Sequence, residues 1–160
     1  MDKATYKKLN KIIDIVGVVL IIALVLITFI GWINAPEIVP THYNFNGEVD
    51  GYGSKNTMFI LLPVVVIVYI GMAILSKYPE VYNYCVEINP INKEKQYLMA
   101  STFMKIINIE IASMFFYTQS KIVIGMNSEM KNLSSAFLPI SLIVIFGTIA
   151  IYIRKSIKNK

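Results

Sequence analysis

Three observations predict an all-α integral membrane protein with four transmembrane helices. Apolar residues make up 56% of the 160-residue chain and mean hydropathy is +0.59, which takes it out of the range of ordinary soluble domains. Those residues lie in long runs rather than at the spacing of a half-buried helix or strand. Lys and Arg gather beside alternate ends of the runs, as they do in membrane proteins of fixed orientation. The fold predicted is a single membrane domain over 1–160, with spans at about 12–33, 56–76, 97–117 and 136–153. External loops at 34–55 and about 118–135, the first a small extracytoplasmic cap, and a cytoplasmic loop at 77–96 complete it. The chain is placed as a multi-pass protein of the bacterial cytoplasmic membrane, its richness in Lys, Ile and Asn with a single Arg fitting an AT-rich bacterial genome.

The first span begins after a basic head containing Lys3, Lys7, Lys8 and Lys11. Ile12 to Ile33 is too long for the apolar core of a signal peptide, and no small-residue cleavage site follows. At 1.5 Å per residue it covers roughly 30 Å, the hydrocarbon thickness. Trp32 at its far end suits an interfacial anchor.

Asn34 to Lys55 is a polar island in which Pro36 and Pro40 stop helix and Gly47, Gly51 and Gly53 permit turns. Thr41-His42-Tyr43 and Val49 are placed in short extended segments around a Gly47 turn, a hairpin-like cap over the bundle. The second span carries Pro63 in its second turn, where neighbouring helices can satisfy the freed carbonyl. The third is interrupted by Lys105, Asn108 and Glu110, and its apolar character resumes weakly through Ile122-Val123-Ile124, so its helix is expected to project beyond the bilayer. The fourth has Pro139 in its first turn, a favourable place. Eleven Lys and Arg lie in the two tails and the 77–96 loop, against Lys55, Lys121 and Lys131 on the other side. That bias puts both termini in the cytoplasm, N-in and C-in, with His42 outside.

Several residues carry candidate chemistry. Asn46-x-Glu48-x-Asp50-Gly51 imitates the first half of an EF-hand calcium loop, but the twelfth position is Thr57 instead of a bidentate Glu. A polar turn whose side chains satisfy their own backbone is the expectation, with no metal. His42, the only imidazole, has no Cys beside it to make a zinc site, and a structural hydrogen bond is favoured over pH sensing. Glu110 lies about 20 Å along the third span, past mid-bilayer, where an ionisable group costs on the order of 3 kcal/mol. It is expected to face the bundle, protonated or paired, with Ser113 and Tyr117 on the same face, either as an interhelical tie or as a proton or ligand site. Lys105 and Asp14 lie at comparable shallow depth and suit each other as partners. Cys85, the single Cys, excludes an internal disulfide. No Ser-His-Asp set, metalloprotease motif or phosphate-binding Gly loop is present, so no enzyme and no cofactor are expected. The net charge of +5 resides in residues flanking the spans and forms no basic patch with aromatics, which argues against nucleic acid.

Pro40-x-His42-Tyr43-Asn44, then Gly47-Glu48-x-Asp50 and Gly53-Ser54-Lys55, resembles the signature of a bacterial membrane domain of unknown function, the DUF1648 type. That domain also forms the N-terminal half of the SdpI-type immunity proteins. Tyr78-Pro79-Glu80-Val81-Tyr82-Asn83-Tyr84, followed by Asn92, Gln96-Tyr97 and Ile109-Glu110-Ile111-Ala112, resembles the same family's cytoplasmic loop and third helix, with Cys85 where Pro is expected. The similarity covers about the first three-quarters of the chain. SdpI-type proteins carry a second membrane domain, for which 160 residues leave no room. The resemblance implies an SdpI-like accessory or immunity and sensing module against a membrane-active peptide. Its ligand- or partner-binding candidates are His42, Asn44, Asn46, Glu48, Asp50 and Glu110. The alternatives are a small transporter or channel component using the intramembrane Glu110, or a subunit stabilising another membrane protein. Expected partners are the lipid bilayer and, beyond it, a toxic peptide or a membrane protein.

Overall fold

The computed structural model describes residues 2–126 and 132–160. Its element order is helix α1 (Lys3–Asn34), strands β1 (Ile38–Tyr43) and β2 (Val49–Ser54), a 3-10 turn (Lys55–Phe59), helix α2 (Leu61–Leu75), a second 3-10 turn (Pro79–Val81), and helices α3 (Lys93–Gly125) and α4 (Phe137–Lys158). All four helical segments are long and apolar enough to cross a membrane, the second counted from Lys55. This is the architecture of a multi-pass membrane protein.

Helix boundaries differ from the sequence-based ones for identifiable reasons. The Asp2 side chain accepts a hydrogen bond from the Thr5 N–H at 2.7 Å, so α1 starts within the basic head rather than at Ile12. The same bond holds the Asp2 carboxyl below the usual carboxylate range. The helix stops where Pro36 forces Ala35 into extended backbone. At 32 residues it is about 48 Å long, three turns more than a bilayer core needs. Helix α3 overruns its predicted span at both ends, as the weak apolar character through Ile124 foreshadows. Pro63 lies in the first turn of α2, one turn earlier than expected, because residues 55–59 wind as a 3-10 turn. Its missing N–H is there one of the donors a helix start leaves unpaired anyway. The predicted loop at about 118–135 includes residues 127–131, which lie outside the described residues along with Lys131; the part up to 125 is helix.

Helix α3 is the hub and packs against α1, α2 and α4. Gly31 lets α1 approach α3 closely: a Cβ there would lie 2.3 Å from the Val123 side chain. Fully or nearly buried positions include Thr28, Gln96, Thr102, Asn108, Gln119 and Ser156, whereas Ile15, Val19, Ile22, Ile67, Ile143 and Phe146 face outward. Polar groups inside and large aliphatics outside are what a lipid solvent selects. Most of these polar groups tie helix to helix: Thr102 Oγ1 donates to Asn10 Oδ1 at 2.8 Å, and Asn108 Nδ2 to the Tyr69 carbonyl at 2.9 Å. Lys105 pairs with Asp14 across α1 and α3, the partnership expected from their depths.

The two strands form an antiparallel hairpin set on a small core of Ala35, Val39, Met58, Ile122 and Met126, with Trp32, Tyr43 and Val123 packed around it. Lys55 anchors the hairpin's base. Its ammonium pairs with Glu37 at 2.9 Å and sits 5.6 Å over the Trp32 ring, whose indole N–H donates to Asn56 Oδ1 at 2.9 Å. At the tip, Leu133 N–H donates to the Gly47 carbonyl at 2.7 Å and Asn132 accepts from Val49 N–H at 3.1 Å. The hairpin is thus fastened to the segment that leads into α4.

Candidate functional site

The six candidate residues fall into two groups. Five share the hairpin. Asn44 organises its turn: the side-chain oxygen accepts from Asn46 N–H at 2.9 Å and Glu48 N–H at 3.0 Å, and its amide donates to the Glu48 carboxylate at 2.9 Å. Gly47, at φ +81°, completes the reversal. The strand pairing is irregular on both sides of His42, with Thr41 and Asp50 as the extra residues. Bulges of this kind re-aim side chains, and here His42 Nδ1 lies 2.5 Å from Asp50 Oδ1. Both side chains are largely exposed. Glu48 and Asp50 therefore each have a partner within the hairpin, and no three His, Cys, Asp or Glu side chains converge on a metal position among the described residues.

Glu110 stands apart, on α3 facing α4. Thr148 Oγ1 of α4 donates to its Oε1 at 2.5 Å, while its buried Oε2 has no partner among the described residues. Beside it, α3 and α4 diverge around a cleft of about 500 Å³. Glu110, Ser113 and Tyr117 line one wall and Phe137, Ser141 and Val144 the other. Spacings of three and seven residues from Glu110 put Ser113 and Tyr117 on its face, as the sequence indicates. Tyr117 and Phe137 stack at 4.5 Å between centroids. Lys121, further along the helix, is not among the residues lining the cleft. The arrangement offers one acceptor oxygen, a few hydroxyls and broad apolar walls.

Residues 19–67 match the family described as Domain of unknown function (DUF1648). This stretch is similar to a DUF1648 domain. It covers the second half of α1, the whole hairpin and the first half of α2, so the DUF1648 match includes the His42–Asp50 pair and stops well before Glu110. No curated protein and no solved structure matches the chain.

Sequence reasoning overlooked Thr148 and Ser141. Both interrupt the fourth apolar run, seven residues and thus about two turns apart. That periodicity was the available signal for a polar face on α4. Gln119 was also overlooked, and Gln96 enters only through the family resemblance; nothing in their sequence surroundings marks either as buried.

Proposed function

We propose that the protein is an SdpI-like accessory or immunity and sensing module of the bacterial cytoplasmic membrane, which meets a membrane-active peptide in the α3–α4 cleft. The observation that carries this reading is the Glu110 carboxylate, with one oxygen held by Thr148 and the other unpartnered beside a largely apolar cleft. An amphipathic peptide brings what the cleft lacks: apolar side chains for its walls and an N–H or ammonium donor for Oε2. In this reading the helices run N-in and C-in, and the hairpin is an extracytoplasmic cap. The eleven-to-three distribution of basic residues supports that orientation.

The test is expression of the whole chain in a Gram-positive host lacking its own SdpI-type immunity, challenged with the toxic peptide those proteins protect against. Survival above that of cells carrying no insert supports the module. Unchanged sensitivity at confirmed membrane expression removes it.

A second reading rests on the same carboxylate. Asp14 is ion-paired with Lys105, whereas among the described residues the only partner of Glu110 is a hydroxyl. A membrane-embedded carboxylate without a cation suits proton exchange in a small transporter component. Proton-coupled flux in liposomes that is abolished by Glu110→Gln would favour this reading over immunity.

A further inference from the structure

A groove of about 490 Å³ lies between the end of α2 and the start of α3, at the end of the bundle away from the hairpin. Lys77, Lys93 and Lys105 line it, against a single carboxylate, Glu94. Glu94 is ion-paired with Lys3, outside the groove. Lys77 and Lys93 have no carboxylate partner among the described residues. Lys93 is held 5.5 Å from the centroid of the Tyr97 ring. Lys105 is the buried member: its side chain is 11% exposed. Its ammonium gives one donor to Asp14 and has no other hydrogen-bond partner among the described residues. The groove therefore holds two uncompensated positive charges and spare charged donors, and what it lacks is an anion.

The surroundings say which anion. The segment Lys55–Leu75 has 21 residues, enough for one crossing of a hydrocarbon core about 30 Å thick. Lys77, just past its end, stands at the level of the lipid headgroups. The turn continues through Lys77, whose N–H donates to the Ile74 carbonyl at 2.9 Å. Ile67, Ile70, Ile74 and Lys77 follow at spacings of three and four residues, and the three Ile face outward. An apolar stripe on α2 thus runs down to the groove and ends on a cation. On the other bank Ile91, just before Lys93, is 96% exposed. A soluble phosphate would satisfy the ammonium groups and leave the stripe uncovered. A zwitterionic lipid would cover the stripe and bring its own cation to the lysines. An anionic phospholipid does both.

We propose that this groove binds an anionic phospholipid, its phosphate between Lys77 and Lys93 and its acyl chains along Ile67, Ile70 and Ile74. Lys105 donates to the same phosphate from the buried wall. The site shares no lining residue with the Glu110 cleft, so it stands whatever that cleft receives.

The test is native mass spectrometry of the delipidated, intact protein in detergent. It is titrated with dioleoyl phosphatidylglycerol, dioleoyl phosphatidylcholine or glycerol 1-phosphate. One phosphatidylglycerol should bind about tenfold more tightly than phosphatidylcholine, and Lys77→Gln combined with Lys93→Gln should make the two lipids equal. Lys8→Gln combined with Lys11→Gln removes the same charge from the basic head and should leave the preference in place. All four side chains are exposed, so both double variants should keep the wild-type unfolding midpoint. Equal affinity of wild type for the two lipids would overturn the proposal. So would a preference that survives the loss of Lys77 and Lys93, or one lost equally in the head variant, which would mean diffuse charge. Glycerol 1-phosphate binding as tightly as the lipid would overturn it in favour of a soluble phosphate.

Discussion

Gln96 and Ser156 lock α3 to α4 at the end of the bundle away from the hairpin. Ser156 Oγ donates to Gln96 Oε1 at 2.8 Å, and Gln96 Nε2 donates to the Ser156 carbonyl at 2.9 Å. The same amide reaches the Asn159 carbonyl at 2.9 Å. Both side chains are fully buried, so no water can replace a lost bond. Gln96→Leu keeps the volume but takes away the acceptor for the Ser156 O–H and the donor to the Ser156 and Asn159 carbonyls; it should lower unfolding stability by about 1–3 kcal/mol, read from thermal unfolding in detergent. A Gln96→Leu protein as stable as wild type would show that this lock contributes nothing.

At the opposite end, Gly47 is required twice over. Its φ of +81° is costly for other residues, and a Cβ there would lie 2.8 Å from the Leu133 carbonyl oxygen. Gly47→Ala should cost about 1–3 kcal/mol locally and loosen the hairpin from the segment entering α4. Faster hydrogen exchange at the Leu133 amide, with exchange in the centre of α3 unchanged, is the expected signature.

Burial pushes the Tyr43 phenol up to about 12, helped by the nearby Tyr52 and Tyr117. The folded state therefore prefers the neutral phenol. Its contribution is intact below the ordinary phenol pKa of about 10 and is lost as pH rises toward 12. Burial also raises Tyr82 to about 12, so part of the alkaline loss belongs to the loop between α2 and α3. Tyr43→Phe should remove part of the decline above pH 10. At pH 7 it should leave stability equal or higher by about 1 kcal/mol, because the hydroxyl it deletes has no partner among the described residues. Unfolding midpoints across pH 7–12 check both statements.

Cys85 is exposed in the loop between α2 and α3, and is the only thiol. The proposed orientation puts it on the cytoplasmic face. A membrane-impermeant maleimide should label it in inverted vesicles and spare it in intact protoplasts; the reverse pattern would invert the topology and place the hairpin inside the cell.

How far the sequence disclosed this protein depended on the range of the forces involved. The runs from Ile12 and from Ala136 announce membrane helices because transfer into lipid depends on composition over some 20 residues. Asp14 and Lys105 could be paired in advance, since each is an isolated charge at the same shallow depth with no nearer partner. The extension of α1 into the basic head, ahead of the predicted span, depends on one hydrogen bond from Thr5 to Asp2. His42 meeting Asp50 depends on two bulges, and Thr148 meeting Glu110 depends on the register between α3 and α4. Neither is written in hydropathy. The burial of Gln119 was wholly hidden, because a buried Gln looks in sequence like any polar residue within a helix.

The central claim is that the Glu110 carboxylate receives a membrane-active peptide, and one substitution isolates it. Glu110→Gln keeps the shape and still accepts from Thr148, while removing the charge. The measurement is membrane potential in the toxin-challenged Gram-positive host at matched membrane levels of the two proteins. Wild type should hold the potential, and Glu110→Gln should need roughly tenfold less toxin to collapse it, the scale expected for losing one charge-assisted contact. Equal protection by the two proteins, or none from wild type, would contradict the account.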